Sequence, residues 1–184
     1  MLKESENPPM VWPEGQSIVD FAGRWWAAHT RSRHEKALAG ELVRKNVSYF
    51  LPMRWKVSYK GARKLRSLLP LFSGYLFFCG DEKERLEVLK TNRVANCIEV
   101  KDQAKLAGEL AQIERAIKAG VDLVSHDYIK IGQQCRLTEG PLAGLVGIVI
   151  RGKKGSRFVL QVDMLGQAAS IETDTDLLEP VEEK

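Results

Sequence analysis

Arg24-Trp25-Trp26-Ala27-Ala28-His29-Thr30 is followed at once by Arg31-Ser32-Arg33-His34-Glu35-Lys36, and the join between these stretches decides how the first half of the chain folds. Seven short, aromatic-rich residues predict a buried strand. Ser32 with Glu35 three residues on has the spacing of a capping box, which predicts a helix start. Leu38, Ala39, Leu42 and Val43 then give that helix an apolar stripe to about Asn46. Working outward, Tyr49 to Tyr59 reads as a strand that turns near Lys60-Gly61 and returns through Leu65 to Phe78. Pro52 and Pro70 each delete a ladder donor and predict bulges or edge positions. Asp81 with Glu84 predicts a second capped helix to Asn92, and Val94 to Val100 a further strand. Strand–helix–strand–strand–helix–strand in this order predicts an α+β sandwich, an antiparallel sheet with helices on one face.

Beyond it, Leu106, Leu110, Ile113 and Ile117 recur at helical spacing over residues 103–119, and Gly120 supplies the stop. A lone helix of this length is marginal, so its stripe is expected to dock on the first module. Residues 121–130 read as a linker. From Ile131 short apolar stretches alternate with turns at Glu139-Gly140-Pro141, at 152–155 and at Gly166, a texture that predicts a small closed or partly closed β-barrel. A helical alternative for this region is disfavoured, because each interior Gly costs ~1 kcal/mol and Pro ~3 kcal/mol relative to Ala.

The 184 residues, 44% hydrophobic and 28% charged, suffice for one ordinary domain or two small ones with a buried core. No window approaches the ~18 apolar residues of a membrane span. Residues 1–21 read as a flexible N-terminal extension that is neither a signal nor a transit peptide, so the cytoplasm is the expected location. Cys79, Cys97 and Cys135 form no Cys-x-x-Cys and read as reduced thiols. His29, His34 and His126 stand at no ligand spacing, and no Gly-x-Ser-x-Gly elbow occurs; neither metal, cofactor nor enzymatic chemistry is expected. Gly147 to Lys153 mimics a phosphate loop only in outline, since β-branched residues fill it and Lys154 replaces the magnesium-holding hydroxyl.

Charge is more informative. The net +4 conceals sixteen bases against seven acids over residues 21–100, while both ends are acidic. That implies a polyanionic partner for the first module. Six bases and no acid lie between Arg54 and Arg66, with Trp55 and Tyr59 interleaved. The hairpin tip, chiefly Lys60, Arg63 and Lys64, suits phosphate or an acidic protein surface; a hairpin charged merely to blunt aggregation is the alternative. Trp25, Trp26, Phe72, Tyr75, Phe77 and Phe78 crowd two short strands, where alternation sends them to both faces. One set fills the helix-facing core, and the other is expected to form a partner-binding apolar face.

Taken together, these stretches resemble the NusG family of transcription elongation factors. Arg24 to Lys36 is similar to that family's opening segment, and Leu71-Phe72-Ser73-Gly74-Tyr75-Leu76-Phe77 to its Phe-Pro-Gly-Tyr strand, with Ser73 in place of the usual Pro. Leu137-Thr138-Glu139-Gly140-Pro141-Leu142-Ala143-Gly144-Leu145-Val146-Gly147-Ile148-Val149 resembles a KOW motif, in which Gly140, Gly144 and Gly147 permit a tight turn and close strand approach. The short link from Asn46 to Phe50 is similar to that of the RfaH-like specialised paralogues. The likeness spans roughly residues 22–180. It implies an NGN domain over 22–120 that clamps RNA polymerase through Trp26, His29, Phe72, Tyr75 and Phe77, and a KOW β-barrel over 131–181 that recruits Rho or a ribosomal protein. Leu165-Gly166-Gln167 stands where the family commonly has Phe-Gly-Arg in its partner-binding loop, losing an aromatic anchor and a charge. Upstream or non-template DNA is the implied partner of the basic hairpin, and a monomer the implied state.

Two classes of function remain at this stage. One is a non-enzymatic elongation or antitermination factor riding on RNA polymerase. The other is an RNA- or ribosome-binding KOW protein that never touches the polymerase, which would have no use for an uncharged aromatic face.

Overall fold

Residues 6–61, 63–127, 132–152, 155–174 and 177–181 are described by the computed structural model. The elements are β1 (Val11–Trp12), β2 (Arg24–Thr30), α1 (Glu35–Lys45), β3 (Ser48–Phe50), β4 (Met53–Lys60), β5 (Arg63–Pro70), β6 (Tyr75–Gly80), α2 (Glu82–Lys90), β7 (Val94–Glu99), α3 (Gln103–Lys118), β8 (Val124–Asp127), β9 (Gln133–Leu137), β10 (Val146–Gly152), β11 (Gly155–Val162), β12 (Gln167–Thr173) and β13 (Leu178–Pro180). The chain divides into two compact units, Met1–Ala107 and Gly108–Lys184, so the division falls inside α3.

The first unit is α+β. Its main sheet has the order β1-β3-β6-β2-β7, every neighbouring pair antiparallel. Side chains alternate across this sheet. Trp26, Ala28, Tyr49, Leu76 and Phe78 share one face, where they form a core cluster with Leu38, Ala39 and Leu42 of α1 and Val88 of α2. Glu87 joins the two helices through Lys45 at 2.6 Å, and its hydrogen bonds to Lys45 and Lys90 hold its carboxyl down to about 2.

The two helices start differently. Asp81 caps α2 by accepting from the Lys83 and Glu84 amides while Glu84 reaches back to the Asp81 amide, the full capping box that was expected. At α1 the N-cap is His34, and no side chain caps it. Glu35 therefore sits at the first helical position, two residues short of the third position from which a capping-box partner reaches back, and its carboxylate is engaged elsewhere. Asn46 ends α1 in the left-handed region at φ 53°.

The predicted strand from Tyr49 to Tyr59 breaks at Leu51-Pro52, and its return breaks at 71–74. Pro52 has no N–H to donate, and its carbonyl accepts from the Leu71 amide at 2.8 Å. β4 and β5 thus leave the main sheet as a separate two-stranded hairpin. The expectation of a flexible extension over 1–21 gives way at residues 7–12. β1 pairs with β3, the Met10 carbonyl accepts from Leu51 at 2.7 Å, and the Tyr49 hydroxyl donates to the Pro9 carbonyl at 2.9 Å. Lys36 Nζ adds a 2.5 Å bond to Asn7 Oδ1 and another to the Leu68 carbonyl. Two residues of strand are too short to leave a periodic signal, but their backbone groups still require partners.

The second unit is built on a six-stranded antiparallel sheet of order β13-β9-β10-β11-β12-β8. Strands, not a helical hairpin, are therefore the state of this region. A closed or partly closed barrel was the expectation; among the described residues the sheet is open, with β8 and β13 as its edges. Both are short, and β13 ends in Pro180, which cannot donate to a further ladder. Within the stretch expected as a linker, β8 pairs with β12, and residues 128–130 of that stretch lie outside the described residues. In this unit α3 supplies side chains to the backbone of β10 and of two turns: Gln112 Oε1 accepts from the Val146 amide at 2.8 Å, Arg115 donates to the Ala143 carbonyl at 2.9 Å, and Glu109 accepts from the Asp163 amide at 3.3 Å. Docking of the α3 stripe on the first module was the expectation; in the first unit the start of α3 meets β2 through Gln103 Oε1, which accepts from the Trp25 amide at 2.7 Å. Among the described residues no helix is long and apolar enough to cross a membrane.

Candidate functional site

The sheet face away from α1 and α2 is set by β2 and β6. Their register pairs Trp25 with Cys79, Ala27 with Phe77, and His29 with Tyr75; Phe50 of β3 stands beside Phe77. Four of the five residues the sequence singled out for a polymerase surface meet here. Phe72 packs edge-on against Phe77 with ring centroids 6.3 Å apart. The His29 and Tyr75 rings stack at 5.0 Å and 22°. Trp26 is the fifth, and the structure separates it from the others. It lies three residues from His29, hence on the opposite face, stacked on Phe78 within the helix-facing core, its indole donating to the Gly80 carbonyl.

The aromatic face is not open. Phe72 and Phe77 are 1% and 0% exposed, and Trp25 and Phe50 are also buried. What reaches solvent is the rim, where His29 is exposed and Tyr75 half-buried. The register between β2 and β7 shifts between His29 and Thr30, as happens at a β-bulge, which re-aims side chains.

A turn builds the rim. The Tyr75 amide donates to the Phe72 carbonyl at 3.2 Å, and Gly74 has φ +83°. This is the geometry of a β-turn that needs glycine at its third position and favours proline at its second, where Ser73 stands. Both polar groups of Gly74 are engaged: its carbonyl accepts from Thr30 at 2.8 Å, and its N–H donates to Glu35 Oε1 at 2.7 Å. The thiols near this sheet are inert. Burial pushes Cys79 and Cys97 up to about 11, leaving them protonated near neutral pH.

At the basic hairpin, cross-strand partners share a face, so Trp55, Val57 and Tyr59 lie with Leu68, Arg66 and Lys64. The Arg66 guanidinium covers the Trp55 ring at 4.8 Å, while Tyr59 is 71% and Val57 45% exposed. Arg63 and Lys64 are exposed at the tip; the side chain of Lys60 lies outside the described residues. The sequence named the charges but gave no weight to Val57, whose place beside Tyr59 follows from period-two alternation.

In the second unit the β9–β10 connection holds Gly140 and Gly144 at φ +80° and +86°, closed by the Gly144 amide donating to the Leu137 carbonyl at 2.7 Å. Gly147 serves a different need. A Cβ there would lie 2.4 Å from the Val159 carbonyl oxygen and 2.9 Å from the Phe158 ring, so β10 and β11 approach closely only over glycine. Leu165 and Gln167 flank Gly166, which turns β11 into β12 at φ +61°.

The first unit is thus an antiparallel sheet backed by two helices, with an aromatic rim and a separate basic hairpin. The family model described as Transcription termination factor nusG matches residues 23–115, just over half of the chain, and the chain belongs to the NusG family. It is accordingly a transcription-related factor, from a family whose members are not enzymes. No curated protein matches the chain.

Proposed function

We propose that this chain is an elongation or antitermination factor that binds RNA polymerase through its first unit, an NGN domain, and recruits another factor through its second, a KOW domain. The observation that carries the reading is the His29–Tyr75 stack, solvent-facing at the rim of a buried aromatic face, inside the region that matches the family. Phe72 and Phe77 support the rim from beneath. The basic hairpin supplies a second contact, to DNA near the polymerase or to an acidic polymerase surface, through Arg63, Lys64 and Lys60. The glycine geometry at 140, 144 and 147 supports the KOW assignment, and the loop at Leu165-Gly166-Gln167 is the proposed seat of Rho or a ribosomal protein.

The test is the affinity of the full chain for purified core polymerase. Aromatic anchors at interfaces commonly contribute about 2 kcal/mol or more, roughly thirtyfold. His29→Ala with Tyr75→Ala is expected to weaken binding by at least that factor while leaving thermal stability near wild type. Wild-type chain that binds RNA or ribosomes and shows no affinity for polymerase would contradict the proposal.

A further inference from the structure

Glu35 is 6% exposed, an unusual position for a carboxylate at the first turn of a helix, where water normally solvates it. Burying such a group is costly unless it is hydrogen-bonded. Its Oε1 accepts the Gly74 N–H at 2.7 Å, across 39 residues of sequence. Gly74 is the pivot of the turn from Phe72 to Tyr75, and the Thr30 amide fixes its carbonyl at 2.8 Å. The turn is therefore held from both sides: by β2 where its pairing shifts, and by α1 through Glu35. Tyr75 follows immediately and stacks on His29.

We propose that Glu35 is a positioning residue for the polymerase-contacting rim, holding the Phe72–Tyr75 turn so that Tyr75 is presented against His29. This rests on the reading that the rim binds polymerase. A charged acceptor is chosen over a neutral one because a charge-assisted bond to a backbone N–H is shorter and about twice as strong. The helix N-terminus also favours the negative charge. Glu35 acts through Tyr75 and touches no partner itself.

The experiment is a double-mutant cycle on the full chain, read as affinity for core polymerase and as hydrogen exchange at the Gly74 amide. Glu35→Ala is expected to lose about tenfold or more in affinity and to speed Gly74 exchange, while Glu35→Gln, which keeps a neutral acceptor, recovers part of both. In a Tyr75→Ala background, Glu35→Ala should cost little further affinity, because the two residues act in series. Glu35→Asp keeps the charge but withdraws the carboxylate by one methylene, and is expected to behave as Glu35→Ala; it serves if the alanine variant unfolds. Wild-type affinity and unchanged Gly74 exchange in the Glu35 variants, with Tyr75→Ala still weakened, would overturn the positioning role alone. If Tyr75→Ala binds like wild type, the rim itself is not the polymerase surface.

Discussion

Trp25 and Trp26 are adjacent in sequence and face opposite sides of one sheet, which divides the residues the sequence had grouped. The family-based assignment took Trp26 and His29 together, although three residues along a strand always change face. Period-two alternation, legible in the sequence, sets Trp26 and His29 on opposite faces. Glu35 shows the reverse. Its spacing from Ser32 was right for a cap, but helix geometry moved the N-cap to His34, and a tertiary acceptor role for Gly74 took the carboxylate. No local pattern could report a partner 39 residues away. Gly147 is the residue whose role was most nearly legible, since glycine among β-branched neighbours implies close approach. Gly147→Ala is expected to destabilise the chain by about 1–3 kcal/mol, the usual cost of overpacking, because the Val159 carbonyl is backbone and cannot yield cheaply. Urea denaturation checks this; a variant as stable as wild type would mean that the strands can part without cost.

At the scale of elements, β2, α1, α2, β7 and α3 lie where periodicity and caps placed them, within a residue or two. Two of the elements that were missed share a cause. β1 and β8 are two and four residues long, below the length at which alternation can be recognised, and each owes its state to a neighbouring strand edge. The hairpin was legible as a charged projection, but its separation from the main sheet followed from Pro52 and the Leu71 amide. Its charge gives it a measurable signature. Reversing Arg63 and Lys64 to Glu should lower affinity for an elongation complex and flatten the fall of affinity with salt, by roughly one unit of log–log slope per lost phosphate contact. An unchanged slope would make the hairpin a solubility device.

For the whole molecule, the central claim is that a NusG-family chain meets RNA polymerase at the rim of one sheet. The first unit lies mostly within the family match, and the second carries Gly140, Gly144 and Gly147 on a sheet that is open among the described residues. The aromatic excess in the sequence pointed to one face of the sheet, yet could not say that Phe72 and Phe77 would be buried. That burial leaves His29 and Tyr75 as the residues of β2 and β6 on this face that reach solvent. Replacing Phe72 by Ala would remove packing worth roughly 3–5 kcal/mol, so loss of binding in that variant would not distinguish unfolding from a lost contact. Tyr75 is half-exposed and is the better probe. The most direct measurement places a photo-crosslinking amino acid at position 75 of the full chain and irradiates it with transcribing polymerase. The account expects a crosslink to a large polymerase subunit, reduced when the probe is moved to the buried, helix-facing position 26. Crosslinks at position 75 only to RNA or to ribosomal proteins would contradict it.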